Sequence, residues 1–188
     1  EIAQKLCNCK NVKTVDSLID TKDRQKIKII KEDLQLVDYL TDNLTLAISA
    51  LKFLNLKYDE KDFKNAKLFG RLTKIQTNII VDVGHNVLAA KSIYQALNLK
   101  KYILIYNSYK DKNYDKILQI LKSMIEEVQI IEVNDKRIVQ KEKLQNTLLK
   151  HNLKFSNFKR CQKDKRYLVF GSFSVVEAFL KQYRTIDG

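Results

Sequence analysis

The chain has no proline and no tryptophan, and only four glycines among 188 residues. So few glycines leave no room for a glycine-rich phosphate loop, and the pattern G-x-x-x-x-G-K-[ST] occurs nowhere. No apolar run approaches the ~18 residues that a membrane helix needs, and no segment has the basic, apolar, small-residue order of a signal peptide. A cytoplasmic location without membrane contact is the expectation. Cysteine is scarce and odd in number, at Cys7, Cys9 and Cys161. The Cys7-x-Cys9 spacing lacks a second pair that would complete a zinc site, so reduced structural thiols and no metal site are expected.

What the chain has in excess is lysine. Its formal charge is +13, which invites a nucleic-acid reading because clustered cations gain affinity by releasing condensed counterions. The distribution argues otherwise. Lysines alternate with acids along the whole length, as in "KYDEKDFKNAK" and "QKEKLQNTLLKHNLK", and no aromatic-basic RNA motif occurs. The balance fits a solvated lysine-rich surface with no nucleic-acid partner. An apolar share of 45% and a charged share of 30% describe a globular protein with one good core, or one domain plus a piece of another.

The opening "EIAQKL" lacks a methionine and starts inside an apparent helix, which reads as a cut through a longer chain. Next comes "NVKTVDSLI", short and β-flavoured, and then a charged stretch over 20–40 in which strand and helix signals compete. Leu44, Ala47, Ile48, Leu51 and Leu54 recur at helical spacing behind an Asp42 or Thr41 cap, predicting a helix over 43–54. A short helix is expected over 61–66. Beyond "LFGRL" the pattern becomes regular. Strand-like runs at 78–81, 102–106, 128–133 and 167–170 are separated by helical patterns at 87–97, 114–126, 141–149 and 175–183. Strands alternating with long helices are βαβ units, so the fold class is α/β, a doubly wound, mostly parallel, Rossmann-like sheet.

In such sheets ligands collect beyond the carboxyl ends of the strands. The stretch "NIIVDVGHNVLAAKSI" lies at one of them: an apolar strand stops at Asp82, and Gly84, His85 and Asn86 precede a helix. Asp82 can accept hydrogen bonds from a ribose or from a cation's water shell. Gly84 can turn where a β-branched Val83 cannot, so the tight turn is assigned to Gly84. His85 and Asn86 stand at a helix start that favours phosphate. The same residues equally fit a plain arrangement in which Asp82 and Asn86 cap the helix and His85 is an ordinary loop histidine.

The segment resembles the Asp-Gly-Ala-His-Asn-Pro segment of folylpolyglutamate synthase and dihydrofolate synthase, members of the Mur ligase superfamily. Five further stretches carry the resemblance in the same order. "TDNLTLAISAL" is similar to the helix that closes the family's central domain, and "LFGRL" stands where the family has Pro-Gly-Arg at the interdomain hinge. "NSYKDKNYDKIL" resembles its Asp-Lys-Asp segment, "NDKRIV" its arginine-containing loop, and "YLVFGSFSVVEAFL" its terminal strand, Gly-Ser turn and helix. The chain departs from the pattern at Phe69 and Val87, which replace prolines, at Val83-Gly84 for Gly-Ala, and at Asn113 for the second aspartate.

The resemblance implies an ATP-dependent ligase that adds L-glutamate to folate or dihydropteroate through an acyl phosphate, with ATP and Mg2+ as cofactors and a monomeric state. It implies three parts: residues 1–66 as the tail of the central ATPase domain, 67–73 as the hinge, and 74–188 as the complete C-terminal domain. The phosphate loop and most magnesium ligands would then lie in a preceding part, and these residues alone would be inactive. By resemblance Asn43 would contact adenine, Arg71 the ATP phosphates and Asp82 the ribose, with His85 near the phosphates and the incoming amine as the catalytic candidate. Lys112, Arg137 and Ser172 are candidates for the glutamate side, although surface or capping roles account for each of them equally. Two rival readings are another Mur-type ligase of cell-wall synthesis and a non-enzymatic basic α/β binding module.

Overall fold

The computed structural model describes residues 15–66, 69–97 and 100–187. The helix expected at the first residues, Cys7 and Cys9 lie outside the described residues, as do positions 67 and 68 of the expected hinge. The chain divides into two compact units, Glu1–Lys67 and Leu68–Gly188.

The first unit is helical, with α1 at Val15–Leu18, α2 at Thr21–Leu34, α3 at Asp38–Phe53 and a 3-10 turn at Glu60–Phe63. Helix α2 replaces the ambiguous charged stretch, and α1 replaces part of the β-flavoured segment. A capping box decides the start of α2: the Asp23 N–H donates to Asp20 Oδ1 at 3.0 Å, and the Asp20 N–H to Asp23 Oδ2 at 2.9 Å. Ile27, Ile30 and Leu34 then fall on one helical face and bury against Leu44 and Ile48 of α3. The β-branched run "KIKII" had masked this spacing. Helix α3 begins five residues before the predicted start, and the expected helix at 61–66 is only the 3-10 turn.

The second unit is the α/β domain. Its elements are β1 (Thr73–Gln76), β2 (Ile79–Asp82), α4 (Val87–Leu97), β3 (Tyr102–Tyr106), α5 (Tyr114–Leu121), β4 (Ile125–Ile130), α6 (Lys141–Lys150), β5 (Phe155–Asn157), β6 (Tyr167–Phe170) and α7 (Phe173–Asp187). One six-stranded sheet runs in the order β1-β2-β6-β3-β4-β5, with β1 antiparallel to β2 and every other pairing parallel. The predicted helix at 114–126 ends at Leu121; after a 3-10 turn its last two positions belong to β4, which occupies 125–130 rather than 128–133. The edge strands β1 and β5 are short and polar, "TKIQ" and "FSN", and carry too little periodicity to be read locally.

Side chains alternate across the sheet. Ile80, Leu104, Leu168 and Phe170 join one core with Ala90 and Ile93 of α4, Ile117, Leu118 and Leu121 of α5, and Leu144 and Leu148 of α6. Ile79, Val81, Ile103, Ile105 and Val169 join the other, with Val175, Val176 and Phe179 of α7 and the loop residue Phe158. With both faces covered, the central strands read as nearly unbroken apolar runs, and their polar residues are pushed to the strand ends.

Candidate functional site

Six polar or charged residues are buried among the described residues, and four of them, Asp82, Asn107, Ser108 and Ser172, lie at the carboxyl ends of β2, β3 and β6. These three strands are neighbours in the sheet. The apolar strands therefore end on one polar shelf, where an α/β sheet receives ligands.

Asp82 is 1% exposed. Its Oδ1 accepts the Gly84 N–H at 2.7 Å and its Oδ2 accepts the Leu72 N–H at 2.9 Å. The Val83 N–H donates to Gly70 O at 2.8 Å. Two of these bonds lace the segment around Arg71 to the end of β2, and the third, from Gly84, closes the loop after β2 on itself. Gly70 has φ +83°, and Leu72, which is not a glycine, has φ +45°. Arg71 stands between two left-handed residues. Thr73 steadies the same turn, its Oγ1 accepting the Gly70 N–H at 2.9 Å.

Gly84 does not hold the left-handed conformation expected of it; positive φ among glycines falls on Gly70 and Gly171. Space requires it instead. A β-carbon at position 84 would sit 2.6 Å from Ala89 Cβ and 2.8 Å from both Asp82 Oδ1 and Phe170 Cε2. Phe170 in turn stacks on Tyr106, with ring centroids 6.2 Å apart, so aromatic rings floor the loop. His85 is half-buried, and its Nδ1 lies 3.4 Å from Val83 O. Asn86 is the cap of α4, its Oδ1 accepting the Ala89 N–H at 2.8 Å.

Lys112 and Arg137 meet on one carboxylate. Lys112 Nζ is 3.0 Å from Asp111 Oδ2, and Arg137 Nη2 is 3.5 Å from Asp111 Oδ1. The Lys112 hydrogen bond is the main reason that the Asp111 carboxyl titrates below the usual range. The Arg137 guanidinium also lies 4.1 Å above the Tyr109 ring. Tyr109 Oη and Ser174 Oγ are 2.9 Å apart, Ser174 Oγ donates to Asp135 Oδ2 at 3.2 Å, and Asp135 Oδ1 accepts the Arg137 N–H at 2.8 Å. That backbone bond is the leading cause of a lowered Asp135 pKa. The loops after β3 and β4 and the first turn of α7 are thereby tied together. Beside them a cleft of about 520 Å³ opens between Glu132–Asp135 and Ser174, Glu177 and Lys181.

Ser172 is 1% exposed, and its Oγ accepts the Val175 N–H at 3.2 Å, capping α7. Asn113, the position that departs from the family's aspartate, caps α5 by accepting the Lys116 N–H at 3.0 Å. Asn43 lies on the exposed side of α3, in the first unit. Leu72, Asn107, Tyr109 and Ser174 were not singled out from the sequence. Only Asn107 carried a local signal, as a polar residue directly after an apolar strand. Its Nδ2 donates to Ile131 O at 2.8 Å and its Oδ1 accepts the Ser108 N–H at 2.8 Å, pinning the end of β3 to the loop after β4.

Among the described residues no three His, Cys, Asp or Glu side chains gather as metal ligands would, and no helix is long and apolar enough to cross a membrane. Cys161 is half-buried beside the α7 core.

No family model and no curated protein matches the chain. Solved structures do. A folylpolyglutamate synthetase from Helicobacter pylori is 34% identical, with a TM-score of 0.72 over 97% of this chain and 50% of its own. E. coli FolC in complex with DHPP and ADP is 21% identical, with a TM-score of 0.60 over 78% of this chain and 38% of its own. The bifunctional folylpolyglutamate synthase/dihydrofolate synthase from Yersinia pestis, complexed with AMPPNP and Mn ion, is 22% identical, with a TM-score of 0.57 over 72% of this chain and 36% of its own. The latter two show the fold. This chain spans half of the H. pylori protein and less of the others. The resemblance read from the sequence is borne out: along nearly its whole length this chain is similar, in sequence and in fold, to the folylpolyglutamate synthetase of H. pylori.

Proposed function

We propose that this polypeptide is the C-terminal part of an ATP-dependent ligase that joins L-glutamate to a folate or to dihydropteroate. The observation that carries this reading is the 34% identity to the H. pylori synthetase over 97% of this chain, combined with the two bonds that lace the segment around Arg71 to the Asp82 strand end. In the reaction, a carboxylate oxygen of the pterin substrate attacks the γ-phosphorus of ATP, giving an acyl phosphate and ADP. The glutamate amine then attacks the acyl carbon, losing a proton as phosphate departs. Protein help to such steps is mainly positioning and charge stabilisation.

In this reading Arg71 offers its guanidinium to the ATP phosphates, Asn43 meets the adenine, and the loop from Asp82 to His85 frames the nucleotide, with His85 near the incoming amine. The N-terminus of α4, directly after that loop, adds a favourable field for phosphate. Arg137 and Lys112, linked through Asp111, serve the glutamate carboxylates. Ser172 enters through the cap it gives α7. A divalent ion, when bound, would polarise the transferred phosphoryl group. Among the described residues no three His, Cys, Asp or Glu side chains gather to hold it, and both Asp82 oxygens already accept amides.

The domain reading is that residues 1–66 complete a larger ATPase domain and 67–73 form the hinge. The division of the chain between Lys67 and Leu68 supports it. So does a second apolar stripe on α3. Leu46, Phe53 and Leu54 are 57%, 62% and 62% exposed and share one helical side with the exposed Ala47 and Ala50. Such a stripe fits burial against the remainder of a domain. The reading is tested by ATP-dependent addition of labelled glutamate to folate and to dihydropteroate. A full-length chain containing these residues is expected to catalyse it and the isolated 188 residues are not. Turnover by the isolated residues, or none by the full-length chain on either pterin, would overturn it.

A further inference from the structure

We infer that Tyr109 is a positioning residue for the glutamate side of the site: its ring seats the Arg137 guanidinium, and its hydroxyl ties that seat to the first turn of α7. What the seated guanidinium does for glutamate rests on the function proposed above. The geometry of the seat stands without it.

Arg137 is hard to aim by its ion pair alone. Its side chain is 57% exposed, and the Asp111 oxygen at 3.5 Å from Nη2 lies beyond ordinary hydrogen-bond length. A long side chain with many rotamers is not fixed by so loose a contact. The ring supplies what the carboxylate does not. With Cζ 4.1 Å from the ring centroid, one side of the guanidinium is closed by Tyr109. A fork of N–H donors suited to a carboxylate is then left to face outward.

The main chain brings the two residues together. Tyr109 and Ile138 form an isolated antiparallel bridge, the Lys110 N–H donates to Arg137 O at 2.8 Å, and the Val139 N–H donates to Ser108 O at 2.8 Å. The loops after β3 and β4 therefore run side by side.

The hydroxyl adds a second constraint. Tyr109 is 8% exposed, and its Oη lies 2.9 Å from Ser174 Oγ. Ser174 has one hydroxyl proton and gives it to Asp135 Oδ2 at 3.2 Å, so Tyr109 is the donor to Ser174. Asp135 Oδ1 in turn accepts the Arg137 N–H at 2.8 Å. A path that leaves the Arg137 main chain thus returns, through Asp135, Ser174 and Tyr109, to its own guanidinium. An aliphatic side chain at position 109 would fill the same space, yet it would offer neither the negative ring face nor the hydroxyl. Packing alone does not account for a tyrosine there.

The test uses the full-length chain with nitrogen-15 arginine. It reads the glutamate KM against kcat and the ATP KM, and it reads the Arg137 Nε–Hε resonance, assigned by its loss in Arg137→Lys. A proton held over an aromatic ring is shifted upfield. Tyr109→Leu removes ring and hydroxyl; Tyr109→Phe removes the hydroxyl only and guards against a failure to fold. For Tyr109→Leu the glutamate KM should rise on the order of tenfold, with kcat and the ATP KM within about twofold and the upfield shift lost. Tyr109→Phe and Ser174→Ala should each keep the shift and raise the glutamate KM by about threefold. In an Arg137→Ala background Tyr109→Leu should add no further loss, because residues that act through one another are not additive. An unchanged glutamate KM, an equal rise in the ATP KM, additive losses or an unmoved Arg137 resonance would overturn the inference. A parent chain that adds no glutamate, but in which Tyr109→Leu still abolishes the upfield shift, would overturn the ligase reading and leave the seat standing.

Discussion

Gly171 passes so close to Asn107 that a β-carbon on the glycine would lie 2.1 Å from the Asn107 carbonyl oxygen. Gly171 also holds φ +140°, and it joins β6 to the cap of α7 at the centre of the polar shelf. Backbone meets backbone there, so no side chain can swing aside to make room. Gly171→Ala is expected to destabilise the second unit by about 2–3 kcal/mol through combined strain and overpacking. Denaturant unfolding followed at that unit checks it, and an unchanged midpoint would contradict the close approach.

Arg71→Ala in the full-length chain is expected to lower ATP-dependent turnover by about 2–4 kcal/mol in transition-state terms, as loss of a contact to developing phosphate charge does. Stability should hardly change, since Arg71 is only half-buried and the bonds that lace the turn come from the Leu72 and Val83 N–H groups and not from its side chain. Rates at saturating and at limiting ATP provide the measurement. Equal rates for parent and variant in both regimes would remove Arg71 from the site.

The first unit carries an acid-sensitive clasp. Lys52 bonds Asp20 at 2.8 Å and also Asp23, while Tyr58 donates its hydroxyl to Asp23. The Lys52 hydrogen bond is the largest cause that brings the Asp20 pKa down from 3.8 to about 2. Asp23 is also lowered: burial pushes it up, and the hydrogen bonds from Lys52 and Tyr58 prevail. A carboxyl with a depressed folded pKa contributes stability above its unfolded pKa and loses it as pH falls through the folded value. The contribution of Asp20 should therefore be complete above about pH 4 and fade towards pH 2. Lys52→Met should raise the Asp20 pKa towards its ordinary value, with the amide bonds from Asp23 and Lys22 still holding it down in part. Carbon-13 shifts of that carboxyl against pH decide the point, and an unshifted titration in the variant would show that Lys52 is not the cause.

Some of the site could be read from residues alone, and Asp82 marks the border. That an acid ends the apolar strand and that Gly84, His85 and Asn86 lead into a helix is a local pattern, and Asn86 does cap α4. That the acid grips Leu72, ten positions upstream and across a strand pair, has no local trace. Gly84 was noticed for turning, yet it is needed for space against Ala89 and Phe170. Crowding of that sort depends on residues brought together by folding. Ser172 was read as a candidate for the glutamate side or as a cap, and Asn113 as a departure from the family's aspartate, and both hold helix ends.

The sequence by itself determined the α/β class and the polar strand ends, because a sheet covered on both faces forces unbroken apolar strands and expels polar residues to their termini. It determined the resemblance as well, through the order of short stretches along the chain. Only the tertiary structure decided that β6 enters between β2 and β3, that the weak strand β1 pairs back on β2, and that Arg71 is held between Gly70 and Leu72. Periodicity records which side of an element is buried. Which strand pairs with which, and which distant amide meets a buried carboxylate, is settled by contacts between residues far apart in the chain.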